Sequence, residues 1–135
     1  VTAKLTAFLA GLIVFCICDF TWIGIVAREF YASRLGALLR SEPIWVPALL
    51  FYPLYVGGLV VFCVTPALAD GSWHKALRLG ALLGLVAYAT YDLSNLSTLE
   101  GWPVAVTVVD IVWGVLVSAV AALAGYAAAT VVSRR

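Results

Sequence analysis

Charge is what this chain has least of. Asp, Glu, Lys and Arg make up 11% of its 135 residues, against roughly 25% in an ordinary soluble domain. Apolar residues reach 64% and the mean hydropathy is +1.09. A soluble fold of this size cannot hide so much apolar side chain, so a membrane protein follows. The net charge of +1 leaves no basic footprint, which excludes nucleic acid as a partner. Histidine is nearly missing, with His74 alone. Cysteine is sparse and odd in number: Cys16, Cys18 and Cys63 lie in apolar stretches with no CxxC spacing. No disulfide framework is expected from them. The chain also lacks a nucleophile–His–acid set, a phosphate loop, an HExxH motif and a CxxCH motif, so no complete catalytic motif is present. No small-x-small cleavage site precedes Arg28; the first apolar run reads as a retained helix rather than a signal peptide.

What is present is four long apolar runs, at about 5–27, 44–69, 75–98 and 102–129. At a rise of about 1.5 Å per residue each can cross a hydrocarbon core of about 30 Å. The expected fold is all-α: a polytopic transmembrane four-helix bundle forming a single domain over 1–135. The long polar-rich connection is 28–43. There Phe30, Tyr31, Leu35, Leu38 and Leu39 alternate with Arg28, Arg34 and Arg40, compatible with a short interfacial helix after the first span. Pro53 should bend the second span. Asp70-Gly71-Ser72 marks a tight turn, and the brief Glu100-Gly101 link makes the third and fourth spans an antiparallel hairpin.

Orientation follows from the basic residues. Lys4, Lys75, Arg78, Arg134 and Arg135 fall on the side of the termini, against Arg28, Arg34 and Arg40 on the other. Cytoplasmic termini in a bacterial inner membrane are expected.

Three aspartates interrupt the apolar runs: Asp19, Asp92 and Asp110. A charged side chain inside hydrocarbon costs several kcal/mol on most scales, so it marks a function or a buried partner. Counted from the nearest span end on the presumed outer side, each lies eight or nine residues in. That is about 12–14 Å of depth. Tyr52 enters the second span from the same side to the same depth, and Tyr55 lies one turn deeper. Helical spacing adds Tyr88 and Asn95 to the Asp92 face, with Tyr91 beside it. The pattern Asp19-x-x-Trp22 returns as Asp110-x-x-Trp113. The candidate ligand-binding set is therefore Asp19, Trp22, Tyr52, Tyr55, Tyr88, Tyr91, Asp92, Asn95, Asp110 and Trp113. If the aspartates meet, desolvation and like charge oppose full ionisation, and a proton is shared among them.

Three carboxylates suit a hard divalent cation, yet no histidine joins them, and no metal site is assigned. No cofactor is named by the sequence. Arg28 and Arg34 stand near the same mouth, able to turn inward or to snorkel to the interface. Gly114, Ser118, Ala121, Ala122 and Gly125 give the fourth span a close-packing face. It fits another helix of this bundle, or a homodimer or hetero-complex; membrane lipids are the other expected partner.

The segment GLVAYATYDLSNLSTLEGWPVAVTVVDIVWG at 84–114 resembles the signature of an uncharacterised family of small bacterial membrane proteins, a domain of unknown function. Asp19, Trp22, Gly24, the run 27–31, Phe51, Tyr52, Tyr55 and Gly58 extend the resemblance over nearly the whole chain. Ser94 and Ser97 stand where Thr and Ala are expected in relatives. The resemblance implies a four-helix inner-membrane protein and no established activity.

Three functions stay open. The favoured one is binding or translocation of a small solute, proton or cation at an Asp/Tyr/Asn pocket near the non-cytoplasmic face. The inner halves of the first and fourth spans are too apolar for a simple pore. An accessory or assembly subunit with a structural polar network is the second. A lipid-modifying enzyme with an aspartate acid or base is the third.

Overall fold

A computed structural model describes residues 1–134; Arg135, counted in the charge balance above, lies outside them. Four helices are long and apolar enough to cross a membrane: α1 at Thr2–Val26, α3 at Trp45–Ala69, α4 at Trp73–Thr98 and α5 at Val104–Ser133. Between the first two lies the short α2, Arg28–Leu35, followed by a 3-10 turn at Gly36–Leu38. No strand occurs among the described residues. The protein is an all-helical, multi-span membrane protein. A bilayer leaves backbone polar groups nothing to bond with except each other, and helices satisfy that demand within each span.

The turns follow their residue types. Gly71 has φ +60° and Gly101 has φ +78°, left-handed values that suit a residue without Cβ. The Ser72 hydroxyl accepts the Lys75 backbone N–H at 3.3 Å and so caps α4. Pro53 lies inside α3. The connection after the first span is helical over Arg28–Leu35 and 3-10 over Gly36–Leu38, and non-helical from 39 to 43.

Neighbouring spans run antiparallel, and the close contacts show the register. Along α1 and α5, Ala7 faces Gly125, Gly11 faces Ala121 and Asp19 faces Trp113. Along α4 and α5, Gly80 meets Ala122 and Gly84 meets Gly114. Along α1 and α3, Gly11 meets Val56 and Asp19 meets Tyr52. Helix α5 is thus the centre of the bundle, with α1 and α4 on its flanks.

Residue size explains the closeness. In α1 the buried positions Ala7, Gly11, Phe15 and Asp19 recur every fourth residue. Leu5, Leu9, Ile13 and Ile17 form the opposite stripe and are exposed, the face lipid would cover. In α4 the buried positions are Ala76, Gly80, Gly84 and Asp92. Small residues let backbones approach where the hydrophobic effect between helices is missing. The small residues of α5, Gly114, Ser118, Ala121, Ala122 and Gly125, are buried against α1 and α4. That face is occupied inside this bundle. Beyond the aspartates, toward the chain termini, the interior is filled by Val56, Leu59, Val64 and Val117.

Candidate functional site

The site begins with a change of helix type. Asp19 closes the buried stripe of α1, and the next turn, Trp22–Val26, is a π-helix. The Ala27 N–H bonds the Trp22 carbonyl at 2.7 Å. Such single-turn π-bulges alter side-chain direction and recur at functional sites. Here the bulge leaves the Trp22 ring stacked on Trp113, centroids 4.6 Å apart and 8° from parallel. Ala27 then leaves the helical region, with φ −106° and ψ 8°, and α2 starts in a new direction. Tyr31 of α2 thereby comes back over the bundle.

Two aspartate clusters flank the paired indoles. Asp19, 3% exposed, accepts the Tyr52 hydroxyl at 2.6 Å and the Trp113 indole N–H at 3.1 Å. Asp110 accepts a hydrogen bond from the Tyr31 hydroxyl. The Trp22 indole N–H in turn donates to the Tyr31 oxygen at 3.2 Å. Burial first, and then the bond to Asp110, push the Tyr31 phenol above its ordinary range. One turn deeper, Tyr55 and Ser118 share a hydrogen bond of 2.7 Å.

Asp92 is different. It is 0% exposed, and neither carboxylate oxygen has a hydrogen-bond partner. In the antiparallel register that sets Gly84 and Tyr88 against Gly114, Asp92 falls level with Asp110. An ionised carboxyl left alone in this position would be among the costliest arrangements a protein can hold.

A cleft of about 800 Å³ opens beside these clusters. Asp19, Asp110 and Trp113 line it together with Tyr52, Tyr55, Tyr88 and Tyr91. Arg28 and residues of α2 border it. Arg28 forms no ion pair among the described residues, whose single salt bridge is Lys75–Asp70. Arg34 instead lies over the Phe30 ring at 5.5 Å.

The structure thus joins Asp19, Trp22, Tyr52, Asp110 and Trp113 in a hydrogen-bonded and stacked network. It places Tyr55, Tyr88 and Tyr91 on the cleft wall, and Asp92 behind Asp110. Asn95, half-buried one turn beyond Asp92, is not among the residues lining the cleft. Two contributors escape a sequence reading. Tyr31 sits in a stretch that reads as interfacial anchors, and the π-turn that redirects it has no sequence signature. Ser118 reads as one more small packing residue.

The chemistry on offer is proton and hydrogen-bond exchange. Among the described residues no three His, Cys, Asp or Glu side chains come together as a metal-binding group. His74 lies at the opposite end of α4, stacked on Trp73. Residues 4–127 match the family described as predicted membrane protein (DUF2177), and the chain belongs to it. Neither a curated protein nor a solved structure matches the chain.

Proposed function

We propose that this protein binds a small polar group in the cleft and couples that binding to a proton held between Asp92 and Asp110. The observation that carries the reading is Asp92, wholly buried with both oxygens unpartnered and level with Asp110 on the neighbouring helix. A proton between the two turns mutual repulsion into a hydrogen bond, in which one carboxyl donates to the other. Asp110 also holds Tyr31 and faces the cleft. A group that displaces Tyr31 from Asp110 changes what the shared proton experiences, so binding and protonation are linked.

In this reading the chain works as a single transmembrane unit. Asp19, Tyr52, Tyr88 and Asp110 contact the bound group, and Asp92 acts through Asp110. The apolar interior beyond the layer, including Val56, Leu59 and Val117, favours binding over conduction. The accessory-subunit alternative loses support because the small residues of α5 are already used within the bundle. The charge balance supports cytoplasmic termini, with the cleft toward the other side. A C-terminal green fluorescent reporter should therefore fluoresce and a C-terminal alkaline phosphatase stay inactive; the reverse pattern would overturn the orientation.

Infrared spectroscopy tests the proton. At neutral pH the wild type should show a protonated-carboxyl C=O band. Asp92→Asn and Asp110→Asn should each remove it, and Asp19→Asn should keep it. A wild type without the band holds three ionised aspartates, and the reading fails.

A further inference from the structure

We propose that the ligand is an aminophospholipid drawn sideways from the bilayer, its head in the cleft and one acyl chain in a groove between α3 and α4. This rests on the reading of the cleft as a ligand site and names what occupies it.

The groove is a second cavity, of about 310 Å³. Leu54, Gly58 and Phe62 of α3 face Leu83 and Ala87 of α4 across it. Phe51, Tyr55 and Ala87 line both cavities, so the two adjoin at these residues. Tyr55 is the one polar side chain on the groove wall, and its hydroxyl is turned away to Ser118. The groove therefore has an apolar surface. It is also open: Leu54 is 78% exposed and Phe62 66%, on faces that lipid would cover.

Direction matters as much as polarity. From Phe51 to Phe62 the groove follows α3 for about 16 Å, away from α2 and toward the apolar half of the bundle. A lipid with its head beside α2 has its chain pointing the same way. Charge then selects the head. Arg28 borders the cleft without an ion pair among the described residues, a place for a phosphate. Asp19 and Asp110 in the same lining are acceptors for an ammonium or hydroxyl donor. One head that carries both a phosphate and a primary ammonium matches both ends. Lipid that merely surrounds the protein keeps its head at the interface and has no need of Arg28 or of room at Gly58.

The test is a binding titration of the full-length protein, stripped of lipid in a mild maltoside detergent and read by native mass spectrometry. The probes are lysophosphatidylethanolamine, lysophosphatidylglycerol and the chainless head glycerophosphoethanolamine. Two variants accompany them: Arg28→Gln for the phosphate and Gly58→Leu for the groove. A Cβ at Gly58 meets nothing nearer than Phe62 at 3.9 Å, so Gly58→Leu is expected to fold and to melt as the wild type does. The expected result is saturable binding of lysophosphatidylethanolamine, weakened at least about tenfold by either variant. The chainless head and the amine-free lipid should bind at least about tenfold more weakly. Absence of binding, equal binding of both lysolipids, or indifference to both variants overturns the proposal. The infrared band separates the two readings: its absence sinks the proton reading itself, whereas an intact band with unselective lipid binding sinks only the lipid assignment.

Discussion

Tyr31 stands outside the four spans, yet its hydroxyl links the Trp22 indole to the Asp110 carboxylate. Depth counting could find Asp19 and Asp110 because helical rise is nearly invariant, so residue number converts to height. It could not find Tyr31, whose position depends on a π-turn and a broken helix rather than on spacing. Asp92 shows the converse. Its position in the layer was legible, but its lack of any partner was not, since partners come from how neighbouring helices rotate. Tyr31 also carries a pH signature. Its phenol is pushed above the ordinary value of 10.0, by burial first and then by its bond to Asp110. For a group whose folded value is raised, the linked stability is fully present below the unfolded value and is lost as pH rises toward the folded one. The melting temperature of the wild type should therefore fall as pH rises beyond about 10. Tyr31→Phe should soften that fall and cost about 1 kcal/mol at neutral pH. Equal alkaline slopes in the two proteins would refute the assignment.

At the scale of elements, the stripes that bury α1 and α4 both end on an aspartate. Ala7, Gly11 and Phe15 lead to Asp19; Ala76, Gly80 and Gly84 lead to Asp92. The same narrow faces that let the helices approach therefore deliver their carboxylates to the centre. Polar periodicity alone reveals the ends of these stripes and not their lengths. The small face of α5 was visible in sequence, but which partner it met was not, because a run of small residues fits a helix of either chain. Two backbones approach closely at Gly84, where an added Cβ would overlap the Gly114 carbonyl. Gly84→Ala should destabilise the bundle by about 1–3 kcal/mol in detergent unfolding measurements. At Gly57 an added Cβ meets nothing within 4 Å. Gly57→Ala should be neutral or stabilise by up to about 1 kcal/mol through its helix preference. Equal effects at the two sites would contradict the packing described.

For the molecule as a whole, hydropathy made the architecture legible. Backbone groups in a bilayer must bond to one another, and four long apolar runs leave helices as the solution. The polar layer lies toward one end, and the apolar interior of the other end closes it off. What the whole shape adds to the sequence is the opening between α3 and α4. It depends on how far two helices diverge, which neither periodicity nor composition records. The proton proposed to lie between Asp92 and Asp110 is the central claim. Solid-state carbon NMR of protein in bilayers, labelled at the aspartate carboxyls, observes it most directly. At neutral pH the account predicts a cross-peak between the Asp92 and Asp110 carboxyl carbons, with one in the protonated-acid range. Two carboxylate signals with no cross-peak between them would contradict it.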